Sequence, residues 1–137
     1  MRQRNVKNCD EILLSSDKYV QDLKGINVSK YDKLCLEIGI GKGAYIAECA
    51  RRHPENLYIG IELNKGVVSL ATKKIARFEK EINKKLDNLK VLAYNALELN
   101  ELFAAHTVDR IYLNFSDPWP KKKHEKRRLT SDAFLEV

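Results

Sequence analysis

The residues best placed to do chemistry lie in one stretch, Asn114-Phe115-Ser116-Asp117-Pro118-Trp119-Pro120, which runs into Lys121-Lys122-Lys123-His124-Glu125-Lys126-Arg127-Arg128. Asp117 is a single carboxylate where an apolar run gives out, and the prolines on either side of Trp119 stiffen the turn that carries it. A fixed carboxylate can orient a base and stabilise positive charge developing on it. The eight residues 121–128 include six Lys or Arg, a density that suits phosphate contacts. Together these features predict a nucleic-acid partner and chemistry at a base. Trp119 either stacks on a splayed base, worth ~1–3 kcal/mol, or packs the loop it belongs to.

A second constellation lies upstream, where an apolar run enters Glu37-Ile38-Gly39-Ile40-Gly41-Lys42-Gly43 and then a helical pattern. Gly39 and Gly41 let the backbone turn tightly and approach a ligand, and the following helix offers unpaired N–H groups. Glu62 ends the next apolar run, 23 residues after Gly39, at the distance where an acid accepts hydrogen bonds from ribose hydroxyls. A plain turn is the bland reading of the glycines; strand, helix and distal acid in register favour a nucleoside cofactor. NAD requires Gly-x-Gly-x-x-Gly, whereas the spacing here is Gly-x-Gly-x-Gly. S-adenosylmethionine has a sulfonium cation and no phosphate, and Glu37 suits a cation and repels a pyrophosphate. Asn95, after the third apolar run, is expected to meet the adenine edge through its amide.

The elements that must position these residues alternate. Continuous apolar runs at 34–38, 58–61, 89–93 and 110–115 read as buried parallel strands. Between them, residues 64–86 set Val67, Ala71, Ile75, Phe78, Ile82 and Leu86 at steps of three or four, predicting one amphipathic helix with lysines and glutamates on its far side. Shorter helices are expected at 43–53, burying Ile46, Cys49 and Ala50, and at 97–105. The order β-α-β-α-β-α-β predicts an α/β fold, a doubly wound, Rossmann-like and mostly parallel sheet that breaks off after its fourth strand. Residues 1–30 read as an arm with a short helix near 15–24, and residues 31–137 as the cofactor-binding domain.

Composition limits the alternatives. With 137 residues, 44% hydrophobic, 32% charged and a net charge of +6, the chain fits one basic globular domain. Cys9, Cys35 and Cys49 are odd in number and far apart, without Cys-x-x-Cys or a histidine at metal-ligand spacing, so they read as reduced thiols and no metal is expected. No apolar run approaches membrane-spanning length, and the first residues lead into no signal-type apolar segment, so a cytoplasmic protein without a membrane partner is expected. His53 reads as a helix-end residue, His106 as a loop residue and His124 as surface or a phosphate donor.

Leu36-Glu37-Ile38-Gly39, Gly60-Ile61-Glu62-Leu63, and above all Asn114 to Lys121 followed by His124 to Leu129, resemble the bacterial tRNA (guanine-N7-)-methyltransferase family, in one register from about residue 30 onward. The resemblance implies S-adenosylmethionine as cofactor and methylation of a guanine in the tRNA variable loop. It also implies Glu37, Glu62, Asn95 and Asp117 as cofactor contacts, beside Gly39 and Gly41 of the glycine loop, and Asp117 as the catalytic residue. Lys121 becomes a substrate contact, and Lys123, His124, Glu125, Lys126, Arg127 and Arg128 the RNA-interacting segment. Two departures stand out: Asn95 replaces an aspartate common in relatives, and the chain stops at Val137, short of the family's further strands.

Guanine N7 is a bare lone pair, so its methylation needs no proton removed. An exocyclic amine is the competing acceptor: such sites often place Asn or Asp before two prolines and an aromatic to accept the amine hydrogens, and Asp117-Pro118-Trp119 has only one proline in that slot. A non-catalytic RNA-binding module that presents the basic loop is the reading from a different class.

Overall fold

A computed structural model of the chain describes residues 8–98 and 108–113. Four strands, β1 (Leu34–Ile38), β2 (Leu57–Glu62), β3 (Leu89–Ala93) and β4 (Arg110–Leu113), form one parallel sheet in the order β3-β2-β1-β4. The order runs outward from β1 to β3 and then reverses, so β1 and β4 flank the point where a doubly wound sheet binds ligands. Glu37 pairs with Gly60 on one side and Tyr112 on the other, and Glu62 pairs with Ala93. Parallel pairing therefore brings the ends of all four strands to one edge.

The runs of β1, β2 and β3 are largely buried, as parallel strands require. Strand β4 departs from that expectation, with Arg110 and Ile111 exposed and Tyr112 and Leu113 only half-buried, because it is an edge strand among the described residues. One face, with Cys35, Tyr58, Leu89 and Val91, packs under α2 (Ala44–Arg52) and α3 (Lys65–Ile82), and α1 (Cys9–Ser15) lies against α3. The other, with Leu34, Leu36, Ile38, Ile59, Ile61 and Leu92, is covered by Val20, Leu23, Ile26 and Tyr31. Gly60 keeps the first face thin: a Cβ there would sit 2.8 Å from Ile40 Cγ2 and 3.0 Å from Ile46 Cδ1.

Three expectations are corrected. No helix occupies 16–24; the helix of the arm is Cys9–Ser15. Beyond it the chain runs beside β3, where Lys18 C=O accepts from Val91 N at 2.9 Å and Val20 N donates to Val91 C=O at 3.0 Å, so backbone pairing covers the outer edge of β3. The long helix stops at Ile82, because Asn83 turns left-handed at φ 53° and its N–H caps the last carbonyls. Its fully buried face carries Val68, Ala71, Thr72, Ile75 and Glu79, with Val67 only half-buried. After β3, Ala96–Glu98 form a 3₁₀ turn where a helix was expected to begin; the rest of that expected helix, 99–105, lies outside the described residues.

The arm is fastened by charge as well as by backbone. Lys18 Nζ sits 3.0 Å from Glu79 Oε2, with side chains 2% and 5% exposed. The same oxygen accepts from Leu86 N at 2.7 Å, so one buried carboxylate ties the arm, α3 and the approach to β3 together.

Candidate cofactor cleft

The cleft begins where β1 ends. Gly39, Gly41 and Gly43 take φ of 75°, 56° and 81°, a left-handed run that only glycine adopts without strain. Gly39 N donates to Ile61 C=O at 2.8 Å, which holds the loop against β2. A Cβ on Gly41 would meet nothing within 4 Å, so the backbone there is open to close approach. Gly43 differs, since its Cβ would press on Ile75 and Ala71 at 3.3–3.4 Å; it lets α2 start against α3.

Glu62 closes the other side. Its carboxylate accepts from Gly41 N at 3.3 Å and from Leu63 N at 3.0 Å, so the acid is aimed at the glycine loop by backbone donors. The expected pairing of a glycine turn with a distal acid is thus a direct contact. Asn95 lies beyond β3 on the same edge, half-buried, with Oδ1 accepting from Leu97 N at 3.0 Å. That bond sets an Asx-type turn and engages one lone pair of the amide oxygen. Glu37 is 1% exposed in the penultimate position of β1.

The structure adds two residues that sequence reading did not single out. Tyr45 and Tyr112 meet edge to face, centroids 5.8 Å apart and planes at 65°, and Tyr112 is the β4 partner of Glu37. The Cys49 thiol near the Tyr45 hydroxyl holds the phenol above its ordinary pKa, with partial burial and the Glu37 charge acting in the same direction. The Tyr112 hydroxyl near Arg110 raises the guanidinium further. The signals in sequence were the second residue of a helix after a glycine loop and the alternation in β4. Burial pushes the Cys49 and Cys35 thiols up, away from the thiolate form that reactivity needs.

Asp117, Lys121, Lys123, His124, Glu125, Lys126, Arg127 and Arg128 lie outside the described residues. Strand β4 ends at Leu113 on the same edge as Gly39, Glu62 and Asn95, four residues before Asp117. Among the described residues no group of His, Cys, Asp and Glu is arranged to hold a metal ion, and no helix is long and apolar enough to cross a membrane.

Solved structures of similar shape define the class. A 16S rRNA methyltransferase, KamB, matches 67% of this chain and 40% of its own with a TM-score of 0.52 and 27% identity. TrmN from Thermus thermophilus matches 93% and 32% with a TM-score of 0.56 and 21% identity, a likeness of fold. The fold is that of the Rossmann-like methyltransferases. Residues 31–137 match the Methyltransf_4 model, described as putative methyltransferase, and the chain belongs to that family. A tRNA (guanine-N(7)-)-methyltransferase of Macrococcus caseolyticus is 40% identical over all of this chain and 65% of its own length. One from a Geobacillus strain is 51% identical over 74% of this chain and 44% of its own. The chain therefore spans just under two thirds of the first relative and less than half of the second.

Proposed function

We propose that this chain carries the cofactor cleft, and the start of the RNA-binding segment, of an S-adenosylmethionine-dependent enzyme that methylates N7 of a guanine in the variable loop of tRNA. The observation that carries the reading is the Gly41–Glu62 contact at the switch-point edge, in a chain 40% identical to a tRNA (guanine-N(7)-)-methyltransferase. The residues fit the cofactor: an approachable glycine backbone for its amino-acid part, a backbone-aimed carboxylate at Glu62 for ribose hydroxyls, and the buried acid Glu37 for its positive end. Asn95 keeps an amide N–H₂ and a second oxygen lone pair for the adenine edge. When bound, S-adenosylmethionine supplies an electrophilic methyl group on sulfur.

The chain's own residues do the rest. Lys121 and the segment from Lys123 to Arg128 neutralise tRNA phosphates and fix the register of the RNA. Asp117 orients the guanine and balances the positive charge that the purine gains as the methyl arrives, an interaction stronger in the transition state than in the ground state. No general base is needed, because N7 carries no proton. Such an enzyme works in the cytoplasm, where its tRNA substrate resides.

The test is nucleoside mass spectrometry of a tRNA transcript incubated with the protein and methyl-labelled S-adenosylmethionine. Label in N7-methylguanosine is expected. Label in an N2-methylated guanosine or an N6-methylated adenosine would replace the N7 reading with exocyclic-amine chemistry.

A further inference from the structure

Helix α3 turns a basic face to solvent that the cofactor cleft does not use. Residues 65–86 hold seven Lys or Arg against two glutamates, in a chain whose net charge is +6. Of the two acids, Glu79 is buried and paired with Lys18 and, at 4.0 Å, with Lys85, while Glu81 is exposed four residues after Arg77, so the face keeps a clear excess of positive charge. Lys73, Arg77 and Lys80 recur at steps of four and three, and at about 100° per residue they fall within about 60° of one another, opposite Val68, Ala71, Ile75 and Glu79. Lys84 follows just beyond Asn83, and Lys74 borders the shallow groove between α2 and α3. All five are exposed. Among the described residues none of them forms an ion pair, whereas Lys65, Arg51, Arg52 and Lys85 each do.

A row of like charges on one face costs self-repulsion, which falls when a polyanion supplies the counter-charge. Lys73 to Lys80 spans about 10 Å along the axis at ~1.5 Å per residue. The helix starts at Lys65, directly after the Glu62 end of β2, so the row leads away from the cleft along the flank of the domain.

We infer that Lys73, Arg77, Lys80 and Lys84 form a second phosphate-binding track, separate from residues 121–128, that holds the backbone of the RNA whose base is presented at the cleft. The inference rests on the tRNA reading above. A track of this kind adds affinity and orientation without sequence preference.

The test uses the full chain and an unmodified tRNA transcript, with the dissociation constant measured across a sodium chloride series. Lys73→Ala/Arg77→Ala/Lys80→Ala should shallow the log–log salt slope by about 2 to 3, at roughly 0.7–0.9 per lost phosphate contact. The control Lys24→Ala/Lys30→Ala/Lys33→Ala removes three charges from exposed positions on another part of the surface and should leave the slope within about one contact of the wild type. Equal slope changes in the two triple variants would reduce the α3 effect to net charge and overturn the track. An unchanged slope in the α3 variant, with the wild-type chain binding tRNA, would also overturn it while leaving the tRNA reading standing. Failure of the wild-type chain to bind tRNA would bring down the RNA reading and the track with it.

Discussion

Replacing Lys18 by methionine tests how the arm is held to the domain. Its ammonium lies 3.0 Å from Glu79 with both side chains almost fully buried, so removing it leaves a carboxylate in a dry site. Glu79 would keep only the Leu86 N–H at 2.7 Å and the exposed Lys85, 4.0 Å away. Breaking one half of a buried pair costs ~3–5 kcal/mol, a large fraction of the ~5–15 kcal/mol that holds a domain of this size. The neighbouring pair of Lys18 with Asp17 has a 58% exposed carboxylate, so Asp17→Ala should cost under ~1 kcal/mol. Glu79→Gln keeps an acceptor for Leu86 but loses the charge, and in the double variant Lys18→Met/Glu79→Gln no lone charge is buried. Urea unfolding followed by far-UV circular dichroism should therefore give a coupling of ~2–3 kcal/mol between the two sites, at unchanged m-value. Lys18→Met within ~1 kcal/mol of the wild type, or additive single variants, would refute the buried-pair account.

Three further outcomes follow from other sites. Asn88 Nδ2 lies 3.0, 3.1 and 2.9 Å from the carbonyls of Ala50, His53 and Asn56, so Asn88→Ala should lower stability by ~1–3 kcal/mol, and Asn88→Asp by more, because an acceptor then faces three acceptors. Burial pushes the Tyr58 phenol up to about 12 from 10.0; a proton held more tightly in the folded state means stability present below pH 10 and lost as pH rises toward 12. Tyr58→Phe should flatten that alkaline fall in melting temperature, and an equally steep fall would assign it to other groups. Asp117→Ala should cut methylation at least ~10²-fold with tRNA affinity little changed, and Asp117→Asn nearly as much if charge is what matters; near-wild-type turnover in both would remove Asp117 from the mechanism.

The sheet was legible because its strands are continuous apolar runs. The observed β1 and β3 coincide with the expected 34–38 and 89–93, and β2 extends the expected run by one residue at each end. The glycine loop and Glu62 were legible for a local reason, since loop, strand end and acid recur at fixed spacing. The arm was not, because Lys18 reads as a solvent residue until Glu79, 61 positions away, is seen beside it, and backbone pairing of 18–20 with Val91 leaves no periodic signal. The end of α3 was missed because Leu86 continues the apolar spacing by coincidence, buried from a loop whose N–H bonds Glu79. Asn95 was placed on the right edge, but its use of Oδ1 in its own turn depends on a backbone conformation that residue type alone does not specify.

Calorimetric titration of S-adenosylmethionine and of NADH into the wild-type chain and Glu62→Ala tests the central claim most directly. Glu62 anchors Gly41 and is the proposed acceptor for the ribose hydroxyls, so its loss should weaken S-adenosylmethionine by ~1–3 kcal/mol, about 5- to 150-fold, while NADH binds neither protein. Tight NADH binding, or S-adenosylmethionine affinity unchanged in Glu62→Ala, would contradict the assignment of this cleft.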